Sequence, residues 1–261
     1  LTTNTPSSYQ YLTVEGEDIV RVTLNRPEVR NAFNEGLIAE LQDIFTKLGS
    51  DERCRVIVLQ ANGKSFCAGA DLNWMKSMAN FTKEENIADS RKMAFMLNTI
   101  YACPKPVIAK VQGDAYAGGV GLASVCDILV ASNQVRFCIS EAKLGLLPAT
   151  IAPYVIRALG EQASRRYFVT AEIFTAAHGK EMGFVHELVD PDALDSKVDE
   201  ICQAILSNGP MAVMACKKIV RDISQQAITP ALLEDTVERI ANIRTSDEAQ
   251  ARMKAFLEKS K

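Results

Sequence analysis

Ser65-Phe66-Cys67-Ala68-Gly69-Ala70-Asp71-Leu72 and Gln112-Gly113-Asp114-Ala115-Tyr116-Ala117-Gly118-Gly119-Val120-Gly121-Leu122-Ala123 are the two stretches on which the reading of this chain turns. Each follows an apolar, strand-like run, residues 55–61 (RVIVLQA) before the first and 106–112 (PVIAKVQ) before the second. Glycine and alanine let a ligand come close to the backbone, and a tight loop leaves N–H groups without internal acceptors. Two such loops side by side aim two backbone donors at one oxygen, the arrangement that holds an oxyanion.

Around these loops the hydrophobic period alternates between strand and helix. Residues 9–15 and 18–24 alternate and are joined by a glycine-containing turn, which predicts a hairpin. Asn34 is placed to cap a helix over 35–48 whose apolar face carries Leu37, Leu41, Ile44 and Leu48, widened by Ile38 and Phe45. A strand over 55–61 and a loop over 62–72 follow. Thr82-Lys83-Glu84-Glu85 has the pattern of a capping box, opening a helix through Tyr101. Pro104 and Pro106 end that helix and lead into a strand over 107–111. A helix begins near Gly118, and 127–131 is again a strand. The rhythm is β-β-α rather than β-α-β. From about Asp190 it gives way to four amphipathic helices, 191–207, 210–225, 230–244 and 247–259, with no strand between them. The organisation expected is an α/β core over 1–190 and a helical region over 191–261.

The chain has 261 residues, 48% of them apolar and 23% charged, which is ordinary globular usage. A net charge of −3 gives no support to a nucleic-acid partner. Lys217-Lys218 with Arg221 reads as a solvated helix face. Seven cysteines, an odd number without metal-ligand spacing, read as small buried hydrophobes in a reducing compartment. Two histidines make a histidine-rich metal site unexpected. No stretch approaches the roughly 20 apolar residues of a membrane helix, and the first eight residues are polar without the apolar run of a signal peptide. The expectation is a cytoplasmic protein with neither metal nor membrane partner.

FCAGADL, GDAYAGGVGLASVCDILVAS and Ser140-Glu141 before LGLLP, in that order and spacing, resemble the crotonase superfamily, whose type member is enoyl-CoA hydratase. The resemblance runs from Leu24-Asn25-Arg26-Pro27 to Phe256-Leu257-Glu258-Lys259. It implies a spiral of β-β-α repeats with a C-terminal helical region that covers the active site and makes the contacts of a trimer, often paired into a hexamer. It implies an acyl-CoA substrate, with coenzyme A as part of that substrate and no separate cofactor.

The same resemblance implies site residues. The oxyanion donors fall on the backbone N–H of Ala70 and of Gly118. The start of a helix suits Gly118, whose N–H has no intrahelical acceptor and lies at the positive end of the dipole. Glu141 falls where the family's glutamate moves the proton on the carbon beside the thioester. Its apolar neighbours, Phe137, Ile139, Leu144, Leu146 and Leu147, argue for partial burial and a raised pKa. Glu28, Val29 and Arg30 lie in a loop resembling the one along the pantetheine and pyrophosphate, with Arg30 able to meet a phosphate. Ala68, Asp71, Leu72 and Gly119 fall beside the coenzyme, although Asp71, like Asp114, also suits a cap. Phe256 and Lys259 match the pattern that reaches a neighbouring subunit's nucleotide. Trp74, Met75 and Ala149 fall on the acyl pocket.

One position departs from the pattern. Hydratases with two glutamates carry the second in the helix after the glycine loop, where this chain has Gly121. That leaves three readings open. In the first, the protein adds water across the 2,3 double bond of an enoyl-CoA. In the second, it is a Δ3,Δ2-enoyl-CoA isomerase with Glu141 as shuttle. In the third, it binds acyl-CoA, or a partner such as RNA, without catalysis. Residues 144–157 (LGLLPATIAPYVIR) resemble bacterial proteins assigned as 3-methylglutaconyl-CoA or isohexenylglutaconyl-CoA hydratases, of leucine and acyclic-terpene breakdown, and favour the first.

Overall fold

The computed structural model describes residues 9–259, with side chains to 258. The hairpin forms as the alternation predicts, β1 (Leu12–Glu15) antiparallel to β2 (Ile19–Leu24). Asn34 caps α1 (Glu35–Ser50) by accepting from Leu37 N–H at 2.8 Å, and the six expected apolar residues of that helix are buried. After β3 (Val56–Ala61) comes a correction: the expected loop over 62–72 contains a strand, β4 (Ser65–Cys67). Three residues are too few to show a period. Then come α2 (Leu72–Met78) and α3 (Lys83–Ala102), the latter opened by the full capping box between Thr82 and Glu85.

The second repeat is β5 (Val107–Val111), β6 (Asp114–Tyr116) and α4 (Gly118–Ser124). The third is β7 (Ile128–Ser132), β8 (Arg136–Cys138), α5 (Ala152–Leu159) and α6 (Glu161–Thr170). The core closes with β9 (Ile173–Thr175), α7 (Ala176–Glu181) and β10 (Glu187–Val189), before α8 (Leu194–Leu206), α9 (Pro210–Ile223), α10 (Pro230–Arg244) and α11 (Asp247–Lys259).

In each repeat the first strand joins a six-stranded sheet, order β1-β2-β3-β5-β7-β10, and the second joins a four-stranded sheet, order β4-β6-β8-β9. β2, β3, β5, β7 and β10 are parallel neighbours, and Leu59 stands level with Ala109, which stands level with Leu129. Successive repeats therefore stack as turns of the expected spiral. Both faces of the large sheet are covered, which is why its strands read as continuous apolar runs. Ile57, Leu59, Val107, Ala109 and Leu129 join the main core with Phe33, Leu37, Phe66 and Phe137. Val56, Val58, Ile108 and Val130 face the other way and pack against Leu194, Val198 and Cys202 of α8.

The next helix corrects the reading of Lys217 and Arg221 as solvated. Lys217 Nζ donates to Asp127 Oδ2 at 2.6 Å and to the Lys105 carbonyl at 2.9 Å, and Arg221 donates to the Ala102 carbonyl at 3.0 Å. These bonds seat α9 on the core. All seven cysteines are free thiols. Five are buried, Cys126 is half-buried, and Cys216 is exposed, against the expectation of a buried hydrophobe. No described helix is long and apolar enough to cross a membrane.

Candidate active site

The first glycine loop is fixed from the side of α1. Phe33 N–H donates to the Gly69 carbonyl at 2.7 Å and Asp71 N–H to the Phe33 carbonyl at 2.8 Å, while Ala68 N–H donates to the Arg30 carbonyl at 3.0 Å. Ala70, between these bonded residues, keeps an N–H with no backbone or side-chain acceptor among the described residues. Gly69 has φ +90°, and a Cβ there would sit 3.0 Å from Ala117 Cβ and 3.8 Å from the Gly118 nitrogen. The two glycine loops are in contact, and only glycine allows that approach.

The second loop is held under strain. Ala117 has φ 47° and ψ −119°, a conformation costly for a residue with a Cβ. Its N–H donates to the Cys138 carbonyl at 2.8 Å, and its carbonyl accepts from Val120 at 2.9 Å and Gly121 at 3.3 Å. Gly118 then starts α4, and its N–H likewise has no acceptor among the described residues. Two unengaged N–H groups thus come from adjoining loops, one of them at a helix start.

The bond from Ala117 to Cys138 also ties the second loop to the end of β8. Three residues on, Glu141 opens a 3-10 turn, Glu141–Leu144, closed by Gly145 at φ 70°. Glu141, Ala70 and Gly118 line one cavity of about 250 Å³. Its walls include Phe33, Trp74, Met75, Met93, Leu146 and Ile151. Burial pushes the Glu141 carboxyl above its ordinary range, opposed only by its own backbone N–H. Its Oε2 is buried without a hydrogen-bond partner. A raised pKa favours the protonated carboxyl, the form that can give a proton to carbon.

The other expected residues divide. Trp74, Met75 and Ala68 line the cavity. Ala149 does not: it is exposed, and its neighbours Pro148, Thr150 and Ile151 form the wall instead. The 3-10 helix Pro27–Val29 and Arg30 at φ 55° form the rim beside Ala68, with Glu28 and Arg30 exposed and Val29 half-buried. Leu72 is exposed at the start of α2. Asp71 is committed inside the protein: it caps α2 through Asn73 N–H at 2.8 Å and pairs with Arg26 at 2.8 Å. Burial raises its pKa, but the Arg26 and backbone bonds outweigh it and hold the carboxyl below the usual range. Gly119 is buried, and a Cβ on it would stand 2.2 Å from the Cys67 carbonyl oxygen, so it serves the seating of α4 on β4. Phe256 is exposed on α11. Lys259 ends that helix, and its side chain lies outside the described residues. Among the described residues, none of α8 to α11 lines the cavity.

Three features escaped the sequence reading. Asn31, fully buried, donates from Nδ2 to the Asn62 and Ser65 carbonyls at 2.8 and 2.9 Å and accepts from Arg26 N–H, clamping the rim loop to the first glycine loop. Ile151 fills the space beside Gly121, where a Cβ would lie 2.1 Å from Ile151 Cγ2. Asp89 of α3, 6% exposed, lines the cavity. Its signal was present, since it lies four residues before Met93 on the buried face of its helix.

This geometry can be set against known proteins. The profile of the enoyl-CoA hydratase/isomerase family matches residues 15–261. The short-chain-enoyl-CoA hydratase of Clostridium acetobutylicum is 32% identical, over 92% of this chain and 91% of that protein. The crotonyl-CoA hydratase of Syntrophomonas wolfei is 31% identical over 97% of each. The crystal structure of an enoyl-CoA hydratase from Shewanella pealeana superposes with a TM-score of 0.93 at 39% identity, covering 97% of this chain and 95% of that one. A strained glycine loop abutting a second, with a buried glutamate beyond, thus occurs in a chain that matches the family along almost its whole length: the protein belongs to the enoyl-CoA hydratase/isomerase family.

Proposed function

We propose that the protein is an acyl-CoA lyase that adds water across the 2,3 double bond of an enoyl-CoA thioester. The observation that carries this reading is the meeting of the unengaged Ala70 and Gly118 N–H groups with the buried Glu141 carboxyl in one cavity. A thioester carbonyl oxygen between the two N–H groups is stabilised as it becomes an enolate, by about 3–4 kcal/mol per donor. Glu141 then gives its proton to C2. Hydratase names among the relatives support water as the second reactant. The exposed Arg30 guanidinium, without an ion-pair partner among the described residues, suits a coenzyme A phosphate at the rim. Glu28, Val29, Ala68 and Leu72 flank the same path. No group beyond coenzyme A itself is needed.

The acyl group is branched or carboxylated, such as 3-methylglutaconyl, on the strength of the likeness over residues 144–157. The rival, a Δ3,Δ2-enoyl-CoA isomerase, is favoured by the absence of a carboxylate at Gly121. One absorbance experiment separates them. The hydratase removes the enoyl-thioester absorbance of crotonyl-CoA and 3-methylglutaconyl-CoA, whereas an isomerase creates it from 3-hexenoyl-CoA. Absorbance gained from 3-hexenoyl-CoA with none lost from the other two contradicts the hydratase reading, and no change with any of them leaves a binding protein.

The exposed apolar residues Leu233, Val237 and Ile240 of α10 and Met253 and Leu257 of α11 support a trimer or a dimer of trimers. An open groove of about 480 Å³ between α9 and α10 belongs to this apolar face, and no carboxylate lines it among the described residues. Sedimentation equilibrium is expected to give a multiple of three times the 28.6 kDa chain mass, and a monomer at micromolar concentration contradicts the assembly.

A further inference from the structure

Adding water to an enoyl thioester needs a proton at C2 and a hydroxide equivalent at C3. Glu141 and the two N–H groups account for the C2 side. The position that would hold a second carboxylate is Gly121, and it is closed: a Cβ there would stand 2.1 Å from Ile151 Cγ2 and 2.6 Å from Ile151 Cβ. The water must be held by something else on the cavity wall.

That wall has two ionisable side chains among the described residues, Glu141 and Asp89. Asp89 and Met93 lie one helical turn apart on the same face of α3, about 5–6 Å between their Cβ atoms. Met93 Cε in turn lies 3.2 Å from where a Gly118 Cβ would be. Asp89 is therefore one turn from the side chain that abuts the oxyanion glycine. It is 6% exposed, and its Oδ1 accepts from Trp74 Nε1 at 3.3 Å.

From this placement we infer that Asp89 is the second carboxylate of the reaction, the group that holds the attacking water and takes its proton. This rests on the hydratase reading. As the water oxygen bonds to C3, one water proton passes to the Asp89 carboxylate. The C2–C3 π pair moves to form the enolate held at Ala70 and Gly118. The enolate collapses by taking a proton at C2 from Glu141. The proton on Asp89 returns to Glu141 through water, so one hydrogen and one hydroxyl are added and both acids are reset.

The surroundings of the two acids differ in the sense this division requires. Burial raises the Asp89 pKa, but the Trp74 N–H opposes it by favouring the anion. Glu35 of α1 raises it and Lys92 of its own helix lowers it, and these two are paired with each other at 3.0 Å. Glu141, which lines the same cavity, is raised by burial, with no side-chain donor to its carboxylate among the described residues. Burial raises both carboxyls, and of the two only Asp89 has a side-chain donor, the Trp74 N–H, that favours its anion.

The test compares wild-type enzyme with Asp89→Asn in two assays: hydration of crotonyl-CoA, and solvent deuterium exchange at C2 of butyryl-CoA, which needs no water addition. In Asp89→Asn, hydration is expected to fall on the order of 100-fold, the usual effect of losing one acid–base group, with exchange within about threefold of wild type. In Trp74→Phe, which deletes the N–H but keeps Asp89, the acid limb of the hydration pH profile is expected to move to higher pH. Hydration within threefold of wild type in Asp89→Asn, or equal loss of hydration and exchange, overturns the role of Asp89 alone. Exchange without any hydration by the wild-type enzyme overturns the hydratase reading itself.

Discussion

Glu141→Gln is expected to lower turnover by at least about two orders of magnitude and to leave acyl-CoA affinity within a few fold. The amide keeps the size of the side chain but cannot give up a proton to carbon. Steady-state rates on the true substrate, with binding measured separately by calorimetry, check this, and near-normal turnover removes Glu141 from its role. The same variant should be the more heat-stable protein at neutral pH. A carboxyl whose folded pKa is raised contributes stability below its ordinary value of 4.5 and loses it as pH rises through the folded value. The gain in Tm of the glutamine variant should therefore be present at pH 8 and shrink towards pH 4.5. A gain independent of pH would show that burial does not raise the Glu141 pKa.

Gly118→Pro has the second large expected effect, a loss of roughly 10²–10³ in turnover, the range for one oxyanion donor. Proline is tolerated in the first turn of a helix, so the substitution deletes the N–H without breaking α4. Gly118→Ala is the control because it keeps the N–H. Its Cβ would come to 3.2 Å from both Met93 Cε and Phe33 Cε2, close enough to shift the methionine by a few tenths of an ångström. The alanine variant is expected to keep most activity. Equal loss in the two variants would mean that loop distortion, and not the missing donor, causes the effect. Gly119→Ala cannot serve as the control, since its Cβ would run into the Cys67 carbonyl.

Where a segment announces itself by period or by cap, sequence and structure agree. Asn34 and the Thr82–Glu85 box start their helices where expected, and α10 and α11 have the expected bounds. These signals are local and survive without tertiary context. β4, β6 and β8, three residues each, carry no legible period and exist because neighbouring turns of the spiral offer them partners. Lys217 shows the complementary failure: a lysine beside a lysine looks solvated until Asp127 and the Lys105 carbonyl arrive from ninety and more residues away.

The candidate site divides the same way. Ala70, Gly118 and Glu141, singled out in the sequence by the glycine loops and a glutamate among leucines, line one cavity. Ala149 was misplaced because the turn after Pro148 directs Thr150 and Ile151, rather than Ala149, to the cavity. Asp71, placed beside the coenzyme but also read as a cap, is the cap of α2 and pairs with Arg26. Gly121 looked like the absence of an acid; in the structure it is the room taken by Ile151, thirty residues on.

The central claim is that Ala70, Gly118 and Glu141 form one site that moves a proton at the carbon beside a thioester. Deuterium exchange at C2 of butyryl-CoA, followed by NMR in heavy water, tests it most directly, because it isolates that proton transfer from hydration, isomerisation and acyl specificity. The account predicts exchange by the wild-type protein and a fall of on the order of 100-fold or more in Glu141→Gln with the thioester still bound. Exchange at the same rate in both proteins would contradict it.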